Sequence, residues 1–188
     1  MNKNFFFILG LPRSRTSWLA NFFTHTNTFC YHEALREVAS IEELKTLLEN
    51  HDEQNIGNSD CAMVPYIDEI VEIFPNAKIL VVERKPHEVV ESLLDFQLTE
   101  EYDKTEQWIN RLQKQINYIK KNYQTKSIKH TDLNNIEICK EIWDYLLPNL
   151  PFNQKRWKML DDMYVNIQMT KTFLRTKKDS LHLEFNKF

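Results

Sequence analysis

An unbroken apolar run, Phe5 to Leu9, stops at Gly10-Leu11-Pro12, and a burst of cationic and hydroxyl residues follows: Arg13, Ser14, Arg15, Thr16 and Ser17. A short, aromatic-rich run of this kind predicts a strand covered on both faces, as in a parallel sheet. Beyond the burst, Trp18, Leu19, Phe22 and Phe23 share one stripe of a helix expected over Thr16 to Thr24. Strand, tight turn and helix start thus fall within some twenty residues, which commits the chain to an α/β plan at its first element. Lys3 before the run faintly imitates a secretory leader. Arg13 and Arg15, however, stand where a small-residue cleavage site belongs, so the run reads as a strand. The chain contains only two glycines, Gly10 and Gly57. In such a sequence a glycine closing the first strand implies a backbone need, either a close approach or a positive φ.

The remaining pattern alternates. Short strands are expected at Thr28 to His32, Gln54 to Asn58, Ala77 to Glu83 and Ser127 to His130. Ile79 to Val82 is uniformly apolar and mostly β-branched, which places that strand centrally. Between them, helices are expected from an N-cap at Ser40 to Glu49, over Ala62 to Phe74 with Pro65 in the first turn, and from His87 to Phe96. A long amphipathic helix carries Trp108, Leu112, Ile116, Ile119 and Tyr123 as its core stripe, and another runs from Asn135 to Leu147. Pro148 and Pro151 end it, with further helix in the tail. The expectation is one α/β domain over residues 1–188, three-layered, with a central, mainly parallel sheet between helices.

Composition narrows the function classes. A net charge of −3 excludes nucleic-acid binding through bulk charge. No stretch approaches the ~20 apolar residues of a spanning helix, so no membrane partner is expected. Cys30, Cys61 and Cys139 are widely spaced, with no C-x-x-C and no histidine at metal spacing. That pattern predicts reduced thiols of a cytoplasmic protein and no metal site.

Two stretches carry chemistry. A strand, a tight turn and a helix N-terminus direct free backbone N–H groups and the positive end of a helix dipole at one point. Thr16 and Ser17 add hydroxyls there, and Arg13 and Arg15 add full charges able to grip phosphate or sulfate. Cations at a helix start oppose its dipole, so a bound anion explains them better than a solvated cluster does. The phosphate-binding pattern G-x-x-x-x-G-K-[ST], aligned on Gly10, puts Arg15 at the second Gly and Thr16 at the Lys. The shape is that of a P-loop, without the lysine that reaches the β/γ-phosphates. In the second stretch, Arg84 closes the expected central strand, at the edge where open α/β sheets bind ligands. Ser92 follows eight residues later, two turns into the next helix.

These two stretches, about 30 residues of the chain, resemble the cofactor sites of sulfotransferases that use 3′-phosphoadenosine 5′-phosphosulfate (PAPS). GLPRSRTSWL is similar to that family's 5′-phosphosulfate loop, and Arg84 with Ser92 to its 3′-phosphate site. The resemblance implies a P-loop-type fold and transfer of a sulfuryl group to a hydroxyl or amine of a small molecule or glycan, leaving 3′-phosphoadenosine 5′-phosphate (PAP). It implies that Arg13 contacts the transferring group and that Ser14, Arg15, Thr16 and Ser17 line the phosphate loop. Arg84 and Ser92 would hold the 3′-phosphate. Arg15 departs from the pattern by standing where glycine is usual. A C-terminal basic, glycine-containing clamp is also missing, with Arg175, Lys177 and Lys178 as its replacements. The family's base is a His or a Glu. Consecutive strand residues face opposite ways, so only one of His32 and Glu33 is expected to face the cleft. The resemblance to members that take a Glu from this part of the sheet makes Glu33 the first candidate and His32 the second, with His25 and Asp60 behind them. Ser59-Asp60 otherwise reads as a helix cap. The alternatives are a P-loop nucleotide kinase or NTPase, which Thr16 at the lysine position opposes, and a non-catalytic nucleotide-binding module.

Overall fold

In a computed structural model that describes residues 3–162, the strands form one five-stranded parallel sheet, in the order β2-β3-β1-β4-β5. They are β1 (Asn4–Gly10), β2 (Thr28–His32), β3 (Asn55–Ser59), β4 (Lys78–Glu83) and β5 (Thr125–Lys129). Helices α1 (Thr16–Phe23), α2 (Ile41–Glu49), α3 (Ile67–Ile73), α4 (Pro86–Asp95), α5 (Tyr102–Asn122), α6 (Ile136–Leu146) and α7 (Gln154–Asp162) connect and follow them. The three-layer, parallel expectation holds.

β1 sits centrally because both of its faces are apolar. Phe7 and Leu9 pack with residues of α2 to α5 on one side. Phe6 and Ile8 pack with α1, α6 and α7 on the other. All four side chains are fully buried, each worth about 1.5–3 kcal/mol. The pleat, with its period of two, thus builds two cores from one run of residues. Gly57 lies opposite Phe6 in the β1–β3 register, and a Cβ there would stand 2.2 Å from the Phe6 ring. Gly10 answers to a different neighbour. A Cβ on it would lie 2.7 Å from the Val82 carbonyl oxygen of β4, so close approach, not positive φ, requires glycine.

Ser40 caps α2, accepting from the Glu43 N–H at 3.1 Å, while Glu43 returns a bond to the Ala39 N–H at 2.8 Å. Two expectations are corrected. The segment read as one helix from Ala62 to Phe74 is a 3-10 turn, Cys61–Tyr66, that holds Pro65, and only then α3. Pro65 has no N–H to give an α ladder, and the tighter turn absorbs it. On α5, Trp108 is 43% exposed, and the buried stripe is Ile109, Leu112, Ile116 and Ile119. A helix of this length fits several apolar stripes, and packing against α4 selects this one.

From β3 the chain crosses over β1 to reach β4, so the carboxyl ends of β3, β1 and β4 surround the β1–α1 turn. Crevices of this kind are where open α/β sheets hold ligands.

Candidate anion site at the β1–α1 turn

The turn is held in an unusual backbone state. Arg13 and Arg15 both have φ of 64°, in the left-handed region that costs a non-glycine residue of order 1–3 kcal/mol. Left-handed residues in a turn aim successive N–H groups into a common concavity, an anion-binding arrangement. Arg15 is also the N-cap of α1 and offers no side-chain cap, and the first turn of α1 contains no acidic residue. The positive end of α1 is therefore left without an internal counter-charge. Ser14 is fully buried, and its hydroxyl oxygen has no hydrogen-bond partner among the described residues. An orphaned buried hydroxyl carries a cost of roughly 1–3 kcal/mol that a ligand oxygen would remove.

The two sequence stretches meet here. Arg13 donates from Nε to Ser92 Oγ at 3.3 Å, and its guanidinium lies 4.0 Å from the Phe96 ring centroid. Arg84 donates a short hydrogen bond to the Arg13 carbonyl oxygen and pairs with Glu88 at 3.8 Å. Burial first, and then the Arg84 charge, lowers the Arg13 pKa. Burial also lowers that of Arg84, with Glu88 opposing. Both remain cations, because a guanidinium is protonated far above neutral pH to begin with. Their mutual repulsion is the kind that a bound anion relieves.

Arg15 leaves the turn in another direction. Its guanidinium stacks 4.7 Å over Trp18 and donates to the Asn134 side-chain oxygen at 2.6 Å, in the 3-10 turn His130–Asn134 that follows β5. Its backbone takes the conformation a glycine would take, while its side chain ties the loop to the next turn. Ser17 stands exposed in the first turn of α1.

On the β2–β3 flank, Thr16 meets His32, with Oγ1 and Nε2 3.2 Å apart, and Ser59 donates its hydroxyl to the Thr16 carbonyl at 2.9 Å. The His32 ring keeps one edge in solvent, yet the protein packed around it lowers its pKa, against the raising influence of Glu33 and Asp60. Glu33 leaves the strand at φ 63° and pairs with Arg36 at 2.8 Å. Asp60 is fully buried and accepts from the Ala62 N–H at 2.8 Å and the Leu35 N–H at 3.3 Å, which makes it a cap as expected. His25 bridges Thr28 at the start of β2, on the opposite edge of the sheet, and bonds to Asn153 at 2.7 Å. Arg175, Lys177 and Lys178 lie outside the described residues. Sequence pattern gave no warning of Phe96 or Asn134 and read Ser59 only as part of a cap; all three are joined to the loop by tertiary packing.

No family model and no curated protein matches the chain. Solved structures do. The mouse sulfotransferase SULT7A1 complexed with PAP aligns over 86% of this chain and 64% of its own, with a TM-score of 0.57 at 13% identity. The sulfotransferase domain of the curacin biosynthetic pathway aligns over 83% of this chain and 77% of its own, with a TM-score of 0.57 at 16% identity. The chain thus spans just under two thirds of the mouse enzyme. Its β1–α1 turn, β4 edge and parallel sheet are laid out on the P-loop sulfotransferase fold.

Proposed function

We propose that the chain is a sulfotransferase that takes a sulfuryl group from PAPS and passes it to a hydroxyl or amine acceptor, a small molecule or a glycan. The observation that carries this reading is the meeting of Arg13, Arg84 and Ser92, residues up to 79 positions apart, around a turn with an orphaned buried hydroxyl. The residues fit the donor. The left-handed turn, Ser14, Thr16, Ser17 and the start of α1 would hold its 5′-phosphate, Arg15 would add charge, and Arg84 with Ser92 would hold its 3′-phosphate. PAPS, when bound, supplies an activated sulfuryl group whose departure leaves extra negative charge on a phosphate oxygen.

Arg13 supplies positive charge where that charge develops, a fixed electrostatic contribution of the kind that dominates such transfers. The acceptor proton needs a base on the far flank. His32 serves better than Glu33: it already contacts Thr16 of the loop, and its lowered pKa keeps the ring neutral near pH 7, whereas Glu33 is engaged by Arg36. In balance, the acceptor oxygen or nitrogen bonds to sulfur, the sulfur–phosphate oxygen bond breaks, and the acceptor proton moves to His32. A cytoplasmic setting is consistent with three free cysteines, two of them buried. Among the described residues no helix is long and apolar enough to cross a membrane.

Arg13→Ala and Arg84→Ala should each lower PAP affinity at least 10-fold, since a charged hydrogen bond to phosphate is worth about 1.5–3 kcal/mol. Unchanged PAP affinity in both variants, measured by calorimetry, overturns the assignment. Greater thermal stabilisation by Mg-ATP than by PAP would favour a kinase or NTPase. PAP binding without transfer of labelled sulfate to any phenol, glycan, lipid or peptide acceptor would leave a nucleotide-binding module.

A further inference from the structure

A second group of charges lies on the β4–β5 flank of the turn. β5 runs parallel to β4 with Lys129 beside Glu83, so the next residues out of the two strands, His130 and Arg84, leave the sheet side by side. The His130 side chain is hydrogen-bonded to the Glu83 backbone, and Arg84, Arg15 and Glu88 all act on it electrostatically. Four residues on, the same turn presents Asn134 to Arg15 at 2.6 Å. Within that turn, Asp132 is occupied by the Lys129 N–H at 2.9 Å. Glu88 is the one carboxylate acting on His130, and it is divided between Arg84 at 3.8 Å and Lys85 at 3.3 Å. Arg84 Nε, the atom that faces Glu88 at 3.8 Å, is buried without a hydrogen-bond partner among the described residues. Two guanidiniums and an imidazole therefore lie on this flank of the turn, with Glu88 shared among Arg84, Lys85 and His130, and with Asp161 acting on Arg15. Positive surplus of this kind, with a donor left open, is the chemistry of a phosphate monoester site.

We propose that His130 and Arg15 join Arg84 in holding the second phosphate of the bound nucleotide, and that His130 takes up a proton as that phosphate enters. The inference rests on the nucleotide reading above and extends it: the β1–α1 turn holds one phosphate, and the niche beside it holds the other. In the free protein, burial and the two arginines keep the ring neutral below its ordinary value, with the Glu83 backbone and Glu88 opposing them. A phosphate dianion reverses the local sign, so the bound ring is an imidazolium donating to phosphate oxygen. Asn134 positions Arg15 and does not touch the ligand.

Calorimetry of PAP binding in buffers of different ionisation enthalpy counts the protons taken up. The wild-type chain should take up more protons near pH 7 than His130→Gln. The phosphate's own second ionisation, with a pKa of about 6, contributes equally to both and cancels. His130→Gln should weaken PAP roughly 10-fold at pH 6.5 and less at pH 8, while leaving binding of adenosine 5′-phosphate, which lacks the second phosphate, unchanged. Asn134→Ala, at an exposed position that folding tolerates, should weaken PAP by roughly 3-fold with proton uptake intact. Equal PAP affinity and equal proton uptake in wild type and His130→Gln overturn this inference and leave the nucleotide reading standing. Failure of the wild-type chain to bind PAP overturns both.

Discussion

The two flanks of the β1–α1 turn share a backbone device and differ in charge. On each, a non-glycine residue in the left-handed region starts a helical turn without a side-chain cap: Arg15 before α1, Glu33 before the 3-10 turn Ala34–Arg36. Around Arg15 stand a second cation, Arg84, and the neutral ring of His130, with Glu88 divided between Arg84 and Lys85 and with Asp161 acting on Arg15. Around Glu33 stand His32, Asp60 and Arg36, where the carboxylates are already engaged by backbone N–H groups or by a guanidinium. A surplus of positive charge suits holding an anion. A neutral imidazole beside satisfied acids suits receiving a proton. On the proposed reading, one turn separates a binding half from a proton-handling half, and substitutions should separate them too.

The largest separation is expected at His32. His32→Ala should lower the sulfuryl transfer rate about 10²- to 10⁴-fold with PAP affinity kept, because a positioned base contributes on that scale. Glu33→Gln should change the rate by less than about 10-fold on the same scale. The reverse order, with Glu33→Gln the more damaging, would make the carboxylate the base. The pH profile gives a second reading. A base must be unprotonated, and burial lowers the His32 pKa, so the acid limb of kcat/KM should fall below the ordinary histidine value of about 6.5. In His32→Ala that limb should disappear.

The halves were unequally legible in the sequence. Strands covered on both faces announce themselves as apolar runs, so the sheet and the paired motifs of the binding half were readable from FFFIL, ILVV and their flanking arginines. The proton half was not. His32 and Glu33 are adjacent letters whose directions depend on where β2 ends and the chain turns left-handed, a difference of one residue. Trp108 shows the same limit, since periodicity gives an amphipathic helix but not the rotation that packing against α4 imposes. Ser59, Phe96 and Asn134 come to the turn from other elements, and no local pattern records such meetings.

Gly10 supports both flanks at once, and its loss should not discriminate between them. Gly10→Ala would press a methyl group to 2.7 Å from the Val82 carbonyl, a backbone atom that moves only if β4 moves. Overpacking of this kind costs typically about 1–3 kcal/mol. Thermal unfolding should show that loss, with PAP affinity and transfer rate falling together. A variant that keeps its stability and loses only one activity would mean that the turn does not rest on β4 as described.

The smallest effect should come at Arg15, and its sign carries the information. Arg15→Gly removes the Asn134 and Trp18 contacts, each worth about 0.5–1 kcal/mol at an exposed site, and weakens PAP through the lost charge. It also relieves a left-handed backbone that costs a non-glycine residue roughly 1–2 kcal/mol. The two nearly cancel, so the unfolding temperature should move by only a few degrees. Arg15→Ala loses the same contacts and keeps the strain, which should leave it about 1 kcal/mol less stable than the glycine variant. Equal stability of the two would place Arg15 outside the left-handed region. The ordering expected here, with glycine above alanine and PAP binding weakened in both, is that of a residue that accepts backbone strain to put a cation on the binding flank.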